Sequence, residues 1–403
     1  MNISLSNLEV RKKLAKYSNT SPDDWFLCLK ARYGMATVFQ AIHDRMGAGE
    51  VITCPYTCIT AINPILVAKL RPIYCDIDPA TLSITDTESH LKPRTRAIVV
   101  QHTLGIMNRE IQRAYKAIKD QNVILVEDCA HCLARMALTH KLEPIADISV
   151  HSFGVEKVLQ NTKFGGAIYV NPKLRDRQPK LYNDIVSALI NLPEPPTSLK
   201  LKIRTYRTQN AAIQRLPGRL KFGARSALLK LHTFEPAVSA IEQEASQGQA
   251  YNTNEFVNKT ILDHIDELPS NYRRREQNVD LYIKNLLTNR KFKTLIKQKS
   301  PLLAYPIVFN TTAEATEAYQ VLTASGYFIR RWYTPLLYPG PSDTKDYYYE
   351  SRMAPLAEDI STRVLCLPTN YSTADTRKII KILNPVEKPV EKETKTVEKT
   401  KKA

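Results

Sequence analysis

Between residues 51 and 171 the chain alternates apolar segments of strand length with stretches long enough for helices. This alternation narrows the fold more than any other feature. VITCP (51–55), RPIYCDID (71–78), TRAIVVQHT (95–103), VILVED (123–128), DISVHSF (147–153) and GGAIYVN (165–171) read as strands. ITAINPILVAKL (59–70) and NREIQRAYKAIKDQ (108–121) read as helices, the second with Ile111, Tyr115 and Ile118 on one face. Strands joined through helices predict an α/β fold, an open and mostly parallel central sheet between helical layers. Ligands in such folds bind beyond the carboxyl ends of the strands. Neither a GxGxxG dinucleotide fingerprint nor a GxxxxGK[ST] phosphate loop is present, so the ligand is held by other means.

Past residue 171 the pattern changes. Residues 172–300 read as mostly helical, followed by a smaller α+β unit. In that unit LLAYPIVF reads as a strand, TAEATEAYQVLTASG as a helix ending at Gly326, and YFIRRWY as a strand. These shifts predict a large α/β domain over 1–240, a small C-terminal α+β domain over 241–384, and a tail over 385–403. The tail is Pro/Glu/Lys low complexity that cannot repay its ordering entropy, and it is expected to be disordered. The chain has 403 residues, 43% of them hydrophobic, so two such units can each bury a core. It has no uninterrupted apolar run long enough for a membrane span, and its first residues carry charges where a signal peptide needs apolar ones. The expected location is cytoplasmic. Cys54 with Cys58, and Cys129 with Cys132, have spacings that could serve a metal. No His/Cys pair repeats the spacing, so buried thiols are favoured over zinc.

Two residues could carry chemistry. Asp128 closes an apolar strand, where a carboxylate is costly without a cationic partner. It reads equally as a helix N-cap or as the anion that pairs with a protonated heterocyclic nitrogen. Lys157 follows the next strand. It is either a solvated surface lysine or an amine whose pKa desolvation lowers, as Schiff-base chemistry requires. Ser152 and the Gly165-Gly166 pair add hydroxyl and bare amide donors suited to phosphate oxygens. Together these groups suit pyridoxal 5'-phosphate, which needs an amine, a carboxylate for its ring nitrogen and a phosphate cup.

The strings VITCPYTCITAINPI, RPIYCDIDPATLSI, RAIVVQHTLG, VEDCAH, DISVHSFGVEK and APLAEDISTRVLCLPT give the resemblance a name. From about Ala31 to Tyr371 the chain resembles the DegT/DnrJ/EryC1/StrS family of sugar aminotransferases, pyridoxal-phosphate enzymes of transferase fold type I. The resemblance implies that Lys157 holds the cofactor covalently and moves protons, and that Asp128 keeps the ring nitrogen protonated. It places His131 near the ring and Ser152 on the phosphate, with Tyr33-Gly34-Met35-Ala36 at the helix start that also receives the phosphate. GYFIRRWYTPL implies Arg330 and Tyr333 at the substrate pocket, with Trp332 in place of the usual His. Two departures stand out. Met35 lacks the usual hydroxyl, and Cys58 replaces an aromatic ring that often stacks on the cofactor, with Tyr56 two residues away. The implied reaction transfers an amino group from an amino acid, glutamate being expected, to a keto-sugar that is most often nucleotide-linked. It serves polysaccharide or glycosylated-metabolite biosynthesis, and homodimers are expected. A sugar dehydratase on the same scaffold replaces the lysine with histidine, which Lys157 argues against. A catalytically silent binding or regulatory protein is the other alternative.

The formal charge is +17, of which the tail nets only +2. Between Glu194 and Glu235 there are nine Lys/Arg and no acidic residue, interleaved with apolar side chains. This basic helical segment, 195–235, reads as a solvated face or as a surface that meets anionic lipid or a lipid-diphosphate sugar. In the second case the protein sits peripherally at the inner membrane face. No recognised module accompanies the charge, so nucleic acid is not expected.

Overall fold

The computed structural model describes residues 4–119, 121–231 and 233–384; the Lys/Glu tail, 385–403, lies outside the described residues. The first nine strands are β1 (Trp25–Cys28), β2 (Glu50–Thr53), β3 (Arg71–Tyr74), β4 (Ile77–Asp78), β5 (Ser83–Ile84), β6 (Thr95–Gln101), β7 (Ile124–Asp128), β8 (Ile148–Ser152) and β9 (Gly166–Val170). β10 (Phe292–Thr294), β11 (Ala304–Phe309) and β12 (Val364–Pro368) follow. Seven of them form the central sheet in the order β1-β9-β8-β7-β6-β2-β3. From β3 to β8 neighbouring strands pair in parallel, and β9 is antiparallel to both β8 and β1. The expected α/β class and mostly parallel sheet are therefore present. β7, β8 and β9 are buried at every position, as a sheet covered on both faces requires.

The chain runs outward from β2 to β3 and then returns to β6 on the other side of β2. The order reverses there, and the crevice beyond the ends of β2 and β6 is where such sheets bind ligands. The helix Ala31–Met46 reaches this crevice because two glycines let it press on β9. A Cβ on Gly34 would lie 2.4 Å from Cγ1 of Ile168, and one on Gly166 would lie 2.4 Å from the backbone N and Cα of Ala31.

Strand and helix positions between 51 and 171 follow the sequence reading, with instructive differences. The edge strand β1 lies outside the alternating stretch and was not anticipated; its register is set by β9, far along the chain. Tyr115 does not share the buried face of Ile111 and Ile118. It is 45% exposed, and Ala114 takes the inner position instead. YFIRRWY is not a strand: its only ladder contact is a bridge between Arg330 and Cys366. The segment leaves the small sheet there, and Trp332 and Tyr333 turn into the interior.

The basic segment folds as two helices, Thr197–Arg215 and Gly218–Lys230. A second apolar core surrounds β10-β11-β12, with Val279, Tyr282 and Leu286 among its members. The helix Glu255–Ile265 belongs to the first core through Val257, Ile261 and Ile265. The two clusters interleave further along the chain, where Leu303, Ala304, Val308, Val364 and Cys366 belong to the first, so they mark no single boundary.

Two tests follow from this packing. Gly166→Ala forces its methyl into backbone that cannot swing away, and is expected to destabilise by about 3 kcal/mol. Gly223→Ala, with nothing within 4 Å of the new atom, is expected to be neutral or to stabilise by roughly 0.5–1 kcal/mol. Equal denaturation midpoints for the two variants would contradict the close approach. The second test concerns His151 on β8, wholly buried with its ring 5.0 Å from that of Trp25. Burial pushes its pKa down to about 4, against about 6.5 in the unfolded chain. The unfolded state therefore takes up the proton first. The stability from keeping this ring neutral is complete above about pH 6.5 and is lost as pH falls towards 4, a change on the order of 3 kcal/mol. Urea titrations at several pH values should show this loss, and His151→Gln should flatten it.

Candidate active site

The ends of β2, β6, β7 and β8 open into one cavity of about 400 Å³. Asp128, His131, Ser152 and Lys157 all line it, together with Met35, Cys58 and Tyr333. Each arrives by a short route from a strand end. Asp128 is the last residue of β7 and Ser152 the last of β8. Lys157 follows the turn Gly154-Val155-Glu156, in which Glu156 adopts φ +64°. A non-glycine residue pays roughly 1 kcal/mol or more for that conformation. The carboxylate of Glu156 meets the guanidinium of Arg330 at 3.2 Å, which helps hold the turn.

The electrostatics separate the two central groups from ordinary ones. Burial pushes the Lys157 ammonium below its usual pKa, with Cys58, Asp128 and Glu156 pulling the other way. Burial pushes the Asp128 carboxyl up, opposed by the Ala130 amide and Lys157. Asp128 accepts one hydrogen bond, from Ala130 N–H at 2.9 Å, and makes no ion pair among the described residues. A buried carboxylate so sparsely paired is costly unless a cation joins it. His131 is neutral: burial, followed by Lys157 and Arg330, holds its pKa well below that of free imidazole. Leu104 N–H donates to its Nδ1 at 3.0 Å. The ring proton therefore sits on Nε2, which is 3.3 Å from the Tyr333 hydroxyl. Trp332 stacks on the His131 ring at 5.2 Å and 5°, and the Lys157 amine lies 5.6 Å from the Trp332 centroid.

Two helix starts border the same cavity. The helix Ala31–Met46 begins after Lys30 and the helix Ile59–Val67 after Cys58, and neither has a side-chain cap. The Ile59, Ala61 and Tyr33 amides already donate to the Tyr338, Cys58 and Lys30 carbonyls, which leaves the amides of Ala31, Arg32 and Thr60 for an anion. Ala31, Arg32 and Met35 line the cavity, whereas Gly34 packs on Ile168 and Ala36 faces a separate surface depression. Of the Gly34-Met35-Ala36 set, only Met35 borders the site. Cys58 is at the wall as expected. Tyr56 is not: it is fully buried and its hydroxyl donates to the Trp332 carbonyl at 2.6 Å, so it is no substitute for a stacking ring. Arg330 also lies off this cavity. It lines a smaller adjoining one of about 280 Å³ that shares Val155, Glu156, Lys157 and Lys163.

The sequence reading missed Gln101, at the end of β6, and Thr57, whose hydroxyl donates to the Gln101 side chain. The reversal of strand order between β2 and β6 is the signal that would have found them. It also missed Lys30, Arg32, Lys163 and Glu235 on the walls, where Tyr206 and Arg225 of the basic segment join them. Lys30 pairs with Glu235 at 2.5 Å and Arg32 with Glu242. Behind the site, the ligand-type atoms of His102, Glu127 and Cys129 lie within 4.8 Å of one another. The His102 nitrogens and the Glu127 oxygens already have hydrogen-bond partners within the chain, as a structural network would. The cavity's own donor set fits pyridoxal phosphate: an amine of lowered pKa, a buried carboxylate short of a cation, and a hydroxyl beside uncapped helix starts.

The profile of the DegT/DnrJ/EryC1/StrS aminotransferase family matches residues 33–184 and 222–385, leaving 185–221 unmatched. L-glutamine:2-deoxy-scyllo-inosose aminotransferase from Streptomyces kanamyceticus is 28% identical over 161 residues, 39% of this chain and 38% of that protein. dTDP-4-dehydro-2,3,6-trideoxy-D-glucose 4-aminotransferase from Saccharopolyspora spinosa is 29% identical over 153 residues, 37% of this chain and 39% of that protein. The alignments thus span about two-fifths of these relatives. NtdA from Bacillus subtilis, solved with bound cofactor PMP, matches 95% of this chain and 77% of its own at a TM-score of 0.67 and 16% identity. The shared architecture is that of pyridoxal-phosphate transferases of fold type I. With the profile matched over well more than half its length, the chain belongs to the DegT/DnrJ/EryC1/StrS aminotransferase family.

Proposed function

We propose that the protein is a pyridoxal-phosphate-dependent aminotransferase that moves an amino group from an amino acid, such as glutamate or glutamine, to a keto-sugar that is most often nucleotide-linked. The observation that carries this reading is the meeting of Lys157 and Asp128 in one cavity, the amine with lowered pKa and the carboxylate without a cation. The bound cofactor supplies an electron sink for the substrate's α-electrons. Asp128 keeps the ring nitrogen protonated, and that cation relieves its buried charge. Ser152 and the amides at the starts of the two uncapped helices hold the phosphate. Lys157 Nζ removes and returns the substrate proton, which suits an amine whose pKa burial lowers. His131 Nε2–H and the Tyr333 hydroxyl, both buried, form a fixed polar edge that takes no net charge.

Family resemblance supports a homodimer as the working form, and mass measurement in solution tests it. Leu201, Leu220 and Leu231 are exposed on or next to the basic helices, which supports contact with anionic lipid. Flotation with anionic vesicles at low salt tests that contact.

The decisive experiment is spectroscopic. Purified protein mixed with the cofactor should develop its bound-state absorbance, and borohydride should fix the label to the peptide containing Lys157. Amino donors should then bleach the band in a half-reaction. Lys157→Ala is expected to lower turnover at least about 10³-fold, and Asp128→Asn to weaken cofactor retention roughly 10–100-fold. Protein that takes up no cofactor is instead a silent binding member of the family.

A further inference from the structure

Resting on that reading, we propose that Lys163 and Arg225 form a clamp for a diphosphate carried by the sugar substrate, on a wall built by the basic helical hairpin. Among the described residues, the cations that line the cavity are Lys30, Arg32, Lys157, Lys163 and Arg225. Lys30 and Arg32 are neutralised by Glu235 and Glu242, and Lys157 is the amine that the chemistry uses. Among the described residues, Lys163 and Arg225 make no ion pair. The Lys163 ammonium donates only to the Gln160 carbonyl, at 2.5 Å. Burial lowers the Lys163 pKa and the nearby Arg207 lowers it further, with Glu156 pulling the other way, so an anion beside Lys163 would offset the cost of its charge.

Aromatic contacts tie this wall together. Phe164, next to Lys163, meets Tyr206 edge-on at 5.3 Å, and Tyr206 stacks on Phe234 at 5.0 Å. The Arg225 guanidinium lies 5.5 Å from the Phe234 centroid. These aromatic rings are mostly buried, so they anchor the cations rather than stack on a ligand. Tyr206 belongs to the helix Thr197–Arg215, inside the stretch that the family profile leaves unmatched. Arg330, expected at the substrate pocket, is already paired with Glu156 and flanked by Phe328 and Trp332. Two unneutralised cations at one wall suit the adjacent phosphates of a diphosphate better than a single carboxylate. Nucleoside diphosphates and lipid diphosphates share this chemistry.

The test uses the full chain loaded with cofactor. Calorimetric titration with UDP, dTDP, GDP and inorganic pyrophosphate should give saturable binding. Lys163→Ala and Arg225→Ala should each raise Kd about tenfold or more, as loss of one charge-assisted hydrogen bond does. Arg225→Lys should recover part of the loss, and cofactor absorbance should stay at the wild-type level in all three. A parallel arm uses neutral vesicles doped with polyprenyl diphosphate; tighter binding there than to free UDP identifies the lipid as the source. Variants that bind diphosphates within twofold of wild type overturn the clamp and leave the aminotransferase reading intact. A parallel loss of cofactor in the variants also overturns it, by placing these cations on the cofactor's own phosphate. If wild type binds neither the nucleotides nor the vesicles, the clamp and the diphosphate-linked substrate fall together, while the spectroscopic half-reaction still decides amino transfer.

Discussion

The buried carboxylate of Glu127 holds the floor of the site together. It sits one residue before the end of β7, wholly out of solvent, and accepts from three directions. His102, just past β6, meets it at 2.6 Å; Ser149 of β8 donates at 2.8 Å; and the Ala137 amide donates from the following loop at 2.5 Å. Burial alone would raise its pKa, but the His102 hydrogen bond, joined by Ala137 and Ser149, brings it below the usual carboxylate range. Loss of one partner would leave a buried charge short of a donor, a cost of several kcal/mol. Three of the four strands whose ends open into the cavity, β6, β7 and β8, are thereby tied together by one anion. Asp128, Ser152 and the turn to Lys157 inherit their positions from it.

Glu127 and Asp128 are neighbours in sequence and opposites in circumstance. Strand alternation turns their side chains to opposite faces. One is saturated by the protein's own donors, while the other faces the cavity with a single amide. The fold thus spends one acid on its own integrity and leaves the next to a ligand.

Much of this was legible in the sequence. Apolar runs of strand length and their helical separators are local signals, and they located β2, β3, β6, β7, β8 and β9. Lys157, Asp128, His131 and Ser152 were assigned by resemblance, and the cavity brings them together. What escaped depends on partners remote in sequence. β1 is a strand only because β9 accepts it. YFIRRWY has strand composition, yet Trp332 and Tyr333 are drawn under His131 and away from the ladder. Arg330 looked free as a letter in the chain; its neutralisation by Glu156 needs a contact between two units. Gln101 and Thr57 carry no motif and gain meaning only from strand order.

The basic hairpin has a consequence for how this protein can change. Tyr206, Ile213 and Phe234 form a small core of their own, apart from the cluster around the main sheet. The cofactor-facing residues, by contrast, hang from the strand ends that Glu127 fixes. Substitutions within the hairpin therefore alter one wall of the cavity. The wall and the floor hang from different apolar clusters, joined where Ile203 enters the main core and Phe164 touches both, so the wall can vary with less effect on the floor.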